Sequence, residues 1–254
     1  MPGSDNPIIR VEKVSLRFGA VTAVSEASLS VAAGSMFGLV GSDGAGKTSL
    51  LRMIATMIQP SAGTITIDGL DVSTHRRQVR DRIGYMPQRF GLYQDLTVDE
   101  NLKFFMDIYG IRGTEAKLRR ERYLGFSHLL PFAHRPAGQL SGGMKQKLGL
   151  ASVLVHEPKV LILDEPTNGV DPVSRREFWD MLRVMQNDGM TILTSTAYLD
   201  EGEQCDQVAI MHQALILETA SPQAMRSGFP SLEEAVISRI QEVDEELRND
   251  SFQR

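Results

Sequence analysis

The chain has 254 residues, with 27 Lys and Arg against 32 Asp and Glu, a net charge of −5 and a single cysteine. A chain of this length buries roughly 70–75% of its unfolded surface, so it needs no disulfide framework, and Cys205 has no partner to build one. Its mild acidity argues against a large nucleic-acid footprint, and no apolar run approaches the roughly 20 residues that span a bilayer.

Met1-Pro2-Gly3-Ser4-Asp5-Asn6 does not lead into a signal-peptide core, so the chain is read as soluble or peripheral and not secreted by that route. Ile8 to Val14 reads as a strand, Val21 to Val31 as one or two more, and Met36–Val40 as a strand buried on both faces. Three glycines then interrupt the pattern between Gly41 and Gly46. From Lys47 the spacing predicts a helix with Leu50, Leu51, Ile54 and Met57 on one face, stopped at Pro60-Ser61-Ala62-Gly63. Thr64–Ile67 alternates as a half-buried strand and ends in the turn Asp68-Gly69. Residues 97–156 are mostly helical in period, with Leu96-Thr97-Val98-Asp99-Glu100 resembling a capped start. Three further apolar strands follow, Val160–Leu163, Thr191–Leu193 and Val208–Met211, with a helix over Asp171–Met185 between the first two. Alternating strand and helix predicts a parallel sheet. The final stretch, Ser231 to Leu247, is an acidic helix whose Leu232, Val236, Ile240, Val243 and Leu247 share a face, read as packing on its own domain.

Gly41-Ser42-Asp43-Gly44-Ala45-Gly46-Lys47-Thr48 matches the phosphate-loop pattern G-x-x-x-x-G-K-[ST], with a buried strand before it and a helix after. Its glycines let successive N–H groups converge on phosphate oxygens, and the helix N-terminus adds favourable partial charge. Lys47 is placed to reach the β- and γ-phosphates, and the Thr48 hydroxyl to ligate Mg²⁺. Chance produces such a match in roughly one chain of this length in a hundred. The second signal, Val160-Leu161-Ile162-Leu163-Asp164-Glu165, puts two acids at the carboxyl end of a buried strand, 117 positions beyond Lys47. Asp164 suits a Mg²⁺ contact, and Glu165 suits the group that orients and deprotonates an attacking water.

Leu140-Ser141-Gly142-Gly143-Met144-Lys145-Gln146-Lys147 resembles the signature of ATP-binding cassette (ABC) proteins, and the resemblance extends over residues 7–225. It implies an α/β fold: a P-loop NTPase of the ABC nucleotide-binding type, with an antiparallel β layer and a helical subdomain. It also implies that Phe18 stacks on adenine and that Ser141, Gly142 and Gly143 face the γ-phosphate held by an opposite subunit. By the same resemblance Gln88 senses Mg²⁺ and the transporter subunit, and Asn168-Gly169-Val170-Asp171-Pro172 crosses the dimer interface. Gly84–Gln88, Leu92–Thr97 and Ser195–Glu201 are similar to the drug-resistance branch that serves ABC-2-type permeases. Asp43 and Glu203-Gln204-Cys205-Asp206 are similar to the first half of a tandem bacterial multidrug-exporter ATPase.

The chain departs from that pattern at Ala197, where the family has a histidine that contacts the γ-phosphate. Removing one preorganised donor costs roughly 10²–10³ in rate, so ATP binding is expected to survive while hydrolysis at this chain's own loop is weak. A complete partner cassette would restore one good site, whereas a homodimer would carry two impaired ones. Asp43 stands where the family usually has Asn, and its side chain is expected to point away along the loop. The resulting expectation is one cassette over residues 1–254, with a helical subdomain at about 97–156 and an acidic helix at about 231–248. It would bind ATP and Mg²⁺, pair with an identical or different cassette, and drive a separate permease from the inner face of a bacterial cell membrane, without nucleic acid. Two other readings stay open: a nucleotide-binding regulatory subunit that does not hydrolyse, and a soluble ABC factor, which the single acidic cassette fits poorly.

Overall fold

The computed structural model describes residues 7–252, with side chains through Asp244. Two sheets organise it. An antiparallel sheet is formed by β1 (Ile9–Phe18), β2 (Val21–Val31), β4 (Ala62–Ile67) and β5 (Leu70–Asp71), in the order β2-β1-β4-β5. The second sheet contains β3 (Met36–Val40), β6 (Ile83–Met86), β7 (Val160–Asp164), β8 (Thr191–Thr196), β9 (Gln207–His212) and β10 (Leu215–Ala220). Its order is β10-β9-β3-β8-β7-β6, parallel except for β10, which pairs antiparallel to β9. β3, β7 and β8 are buried along their whole length, as a sheet covered on both faces requires.

The period of two in these strands divides the interior. Phe37 and Leu39, Val160 and Ile162, and Ala209 and Met211 face a core shared with α1 (Lys47–Ile54) and the antiparallel sheet. Met36 and Val40, Leu161 and Leu163, and Val208 and Ile210 face a second core. That core contains α5 (Gly142–Leu154) and α6 (Pro172–Asn187) and continues into the helical lobe of α3 (Val98–Ile108) and α4 (Gly113–Phe126). Arg120 joins α4 to α3 through two 2.7 Å hydrogen bonds to the Asp99 carboxylate.

The predicted elements are recovered with shifted ends. β1 runs on to Phe18 because its ladder with β2 continues to the Phe18–Val21 pair, and β2 is one strand accommodated by register shifts. Thr97 forms both halves of its capping box with Glu100. α1 ends at Ile54, so Met57 is exposed beyond it and does not extend the apolar face. β5, β6, β10 and three short helices, α2 (Arg76–Arg80), α7 (Leu199–Gly202) and α8 (Pro222–Met225), were not anticipated. The acidic helix α9 (Leu232–Phe252) buries Leu232 and Val236 against the second core, with Ile240 packed beside them; the side chain of Leu247 lies outside the described residues. Among the described residues, no helix is long and apolar enough to cross a membrane.

Candidate active site

Strand adjacency gathers the site. β8 lies between β3 and β7, pairing Val40 with Thr196 and Asp164 with Ser195, so the residues that follow each strand are neighbours at its carboxyl end. Gly41–Thr48 leaves β3 there, Glu165 leaves β7, and Ala197 leaves β8. This is where open α/β sheets hold ligands.

The loop depends on glycine. Gly46 has φ 108°, and a Cβ there would stand 2.3 Å from the Ala23 carbonyl oxygen; one on Gly41 would stand 2.1 Å from that of Met211. Gly46 also begins α1 with no side-chain cap, whereas Thr97, Ser141 and Asp171 cap α3, α5 and α6. The first N–H groups of α1 are therefore not taken by a side chain, as an anion-binding helix start requires. A cavity of about 230 Å³ above them has Thr22, Gly44, Gly46, Lys47, Thr48 and Glu165 among its walls.

Lys47 Nζ donates to the carbonyl oxygens of Gly41 at 2.8 Å and Ser42 at 3.0 Å. It also pairs with Glu165 Oε1 at 3.1 Å, with both residues buried. Glu165 Oε2 accepts from Gln88 Nε2 at 2.8 Å and Asn168 Nδ2 at 3.2 Å. Its backbone has φ 46°, an uncommon conformation for a residue with a side chain, and its N–H donates to Ser195 Oγ at 3.1 Å. Thr48 Oγ1 donates to Asp164 Oδ1 at 2.9 Å. Ser195 Oγ donates to the same oxygen at 2.9 Å, and the Tyr85 hydroxyl donates to Oδ2 at 3.4 Å. Burial, and then the neighbouring Asp164 charge, push the Tyr85 phenol up to about 12, so it stays a neutral donor. Thr48, Asp164 and Ser195 make a set of oxygen ligands of the kind Mg²⁺ prefers.

The remaining predicted residues fall around this centre. Phe18 is 53% exposed at the tip of the hairpin that supplies Val21 and Thr22 to the cavity. It is not a core residue. Ser141 accepts from the Met144 N–H at 3.3 Å to cap α5. Gly142 is open, whereas a Cβ on Gly143 would meet the Ser174 Cβ at 2.4 Å, so Gly143 lets α5 approach α6. Neither Ser141 nor these glycines line the cavities at the phosphate loop. Asp43 is exposed and is among the residues that border a 150 Å³ cavity, together with Glu165, Asn168, Thr196 and Ala197. The cause is the pairing of β3 with β8, which sets the loop after one strand beside the loop after the other. Sequence reasoning passed over Tyr85 and Ser195. Both sit inside motifs it quoted, but only strand register shows that they converge on Asp164.

Comparison with known proteins gives the family. The family model described as ABC transporter matches residues 24–168. The probable multidrug ABC transporter ATP-binding protein YbhF of Escherichia coli K12 is 50% identical over 203 residues, covering 80% of this chain but 35% of that protein. The chain thus spans about a third of that relative's length. The Nod factor export ATP-binding protein I of Ralstonia nicotianae is 38% identical over 223 residues, covering 87% of this chain and 70% of that protein. Among solved structures, an ATP binding subunit of an ABC transporter superposes with TM-score 0.82 at 27% identity, covering 92% of this chain and 99% of the other. The cbiO1 protein of Clostridium perfringens, part of the ABC transporter complex cbiONQ, gives 0.80 at 27% identity over 88% of this chain and 92% of its own. The chain belongs to the ABC transporter ATP-binding family.

Proposed function

We propose that this chain is the ATP-binding and hydrolysing subunit of a membrane exporter, a single cassette that pairs with a second, identical or different, and drives a separate ABC-2-type permease from the inner face of the membrane. The observation that carries this reading is the meeting of Lys47, Thr48, Asp164 and Glu165 at the carboxyl ends of β3 and β7. The multidrug and Nod factor export relatives support the direction of transport.

In this reading the uncapped start of α1 and the Gly41–Thr48 N–H groups bind the phosphates, and Phe18 stacks on the adenine. Thr48 and Asp164, with Gln88 from its place beside Glu165, would hold Mg²⁺, which would supply positive charge against the phosphates. Lys47 exchanges its loop carbonyls and Glu165 for phosphate oxygens, which leaves Glu165 free to orient and deprotonate the attacking water. Ser141, Gly142 and Gly143 serve the nucleotide on the partner cassette. Ala197 contributes no side-chain donor to the γ-phosphate, so this chain's own hydrolytic site is slow.

The test is steady-state ATP turnover by the purified chain against Glu165→Gln, with nucleotide binding measured in both. Turnover clearly above that variant supports the hydrolytic subunit. Binding without turnover supports the second reading that Ala197 favours, a regulatory subunit or a half-site that needs a complete partner. Absence of binding would refute the assignment of the phosphate loop.

A further inference from the structure

Three segments meet at Glu201, on α7, and the site described above does not use it. Glu201 is 2% exposed, an environment that penalises a carboxylate unless its oxygens are satisfied. Both are. Oε1 accepts from the Thr167 hydroxyl at 2.5 Å, and Oε2 accepts from the Thr196 hydroxyl at 2.5 Å. Both threonines are as buried as the glutamate. Arg175 Nε lies 3.8 Å from Oε1, while its guanidinium pairs with Asp200 at 3.0 Å and stacks 4.8 Å from the centre of the Tyr198 ring.

One hydroxyl, Thr167, belongs to the loop after β7, and the other, Thr196, ends β8 where its loop begins. Thr167 stands between Glu165 and Asn168, whose amide holds Glu165 Oε2. Thr196 immediately precedes Ala197, and its hydroxyl oxygen accepts from the Tyr198 N–H at 3.0 Å. One carboxylate thus ties the loop after β7 to the loop after β8, across the cavity bordered by Asp43, Glu165 and Ala197. Ala197 itself has no polar side-chain atom to reach across that cavity to the β7 loop. The Glu201 bridge therefore adds a second tie, at Thr167, to the direct bond from the Glu165 N–H to Ser195 Oγ, and it fixes the segment that carries Asn168.

We propose that Glu201 is a positioning residue whose carboxylate clamps Thr167 to Thr196 and so holds Glu165 in its working geometry. Its catalytic consequence rests on the hydrolytic reading given above; its structural consequence does not. Displacing a reacting group by about 1 Å costs up to about a hundredfold in rate, so loosening the clamp lowers kcat while nucleotide affinity, which depends on the Gly41–Thr48 loop, stays within about twofold.

The experiment compares Glu201→Gln, Thr167→Val and Thr196→Val with the unsubstituted chain by amide hydrogen exchange, nucleotide binding and ATP turnover. Glu201→Gln keeps the volume but exchanges one acceptor for a donor, so one hydroxyl bond is lost. The expected result is that Thr196→Val speeds exchange about tenfold in residues 167–170 and Thr167→Val does so at Tyr198, each acting on the loop it does not belong to. Exchange that changes only in the substituted loop overturns the clamp, as does a fall in melting temperature with kcat unchanged. An unsubstituted chain that binds ATP yet turns over no faster than Glu165→Gln overturns the hydrolytic reading instead, and the exchange data still decide the clamp. Should Glu201→Gln fail to fold, the two valine variants decide it alone.

Discussion

Lys47 and Glu165 form a buried ion pair, Nζ to Oε1 3.1 Å, with side chains 4% and 8% exposed. Each is also the group proposed to act on the nucleotide, so the two are held together in the nucleotide-free chain and must separate when phosphate enters. Removing one member of such a pair leaves a buried charge, typically at a cost of about 3–5 kcal/mol. Gln88 and Asn168 still donate to Glu165, which places Lys47→Ala at the lower end, near about 3 kcal/mol. Glu165→Gln leaves Lys47 with two carbonyl acceptors and is expected to cost about 1 kcal/mol. The double variant should cost less than the two singles together. Urea unfolding without nucleotide measures the cycle, and strict additivity would show that the pair does not couple.

Ala197 is exposed on a 150 Å³ cavity beside Glu165, with room for an imidazole. Ala197→His is therefore expected to raise kcat, by up to about 10²-fold, with little change in ATP affinity. Asp43 borders the same cavity and would engage the new ring as an acceptor. Combining Ala197→His with Asp43→Asn should then give the larger gain. Equal turnover in both variants and the unsubstituted chain would mean that position 197 does not limit the reaction.

How much of this was legible beforehand follows from sequence distance. Lys47, Thr48, Asp164 and Glu165 were found because loop and strand-end chemistry is written in runs of six to eight neighbouring residues. The sheet was found because β3 and β7 are continuously apolar. Strands such as β5, two residues long, carry no periodicity to find. Glu201 was invisible for another reason: in sequence it is one more acid in Leu199-Asp200-Glu201-Gly202-Glu203, and only the fold brings it to Thr167, 34 positions away. That Asp43 borders the cavity beside Ala197 was equally out of reach, because it depends on which strand lies beside β3.

Asn101 on α3 is fully buried and shapes the segment between Gln88 and the helical lobe. Its Nδ2 donates to the carbonyl oxygens of Tyr93 at 3.0 Å, Leu96 at 3.1 Å and Thr97 at 2.9 Å, and its Oδ1 accepts from the Tyr93 N–H at 2.9 Å. Truncation to alanine strands the Tyr93 N–H, worth about 1–3 kcal/mol, and removes the amide's bonds to carbonyls that keep backbone donors of their own, the Leu96 N–H on Tyr93 and the Ala137 N–H on Leu96. Asn101→Ala is expected to destabilise the chain by about 2–4 kcal/mol, and Asn101→Asp, which keeps the acceptor but turns the donor into a second acceptor, by at least as much. Denaturant melts give the values. An Asn101→Ala cost below about 1 kcal/mol would mean that water replaces the side chain.

Three buried neutral acids set the alkaline limit. Burial first, then the nearby Asp206 and Glu201 charges, push the Cys205 thiol from 9.0 up to about 12. Burial likewise pushes the Tyr85 and Tyr123 phenols from 10.0 up to about 12, with Asp164 and Glu157 adding to it. For each group the unfolded chain releases its proton first, so above the unfolded values it binds fewer protons than the fold and stability falls as pH rises. Their contribution is fully present below pH 9 and is lost as pH climbs toward about 12. Melting temperature should therefore decline above about pH 9, and Tyr123→Phe should flatten part of the decline because it removes one of the protons involved. The same burial makes Cys205 unreactive: a thiol reagent at pH 8 should label it only after unfolding, since the thiolate is the nucleophile. Rapid labelling of the folded chain would place that thiol at a solvent-open position and contradict its packing against Gly38, where an added Cβ would stand 2.9 Å from Sγ.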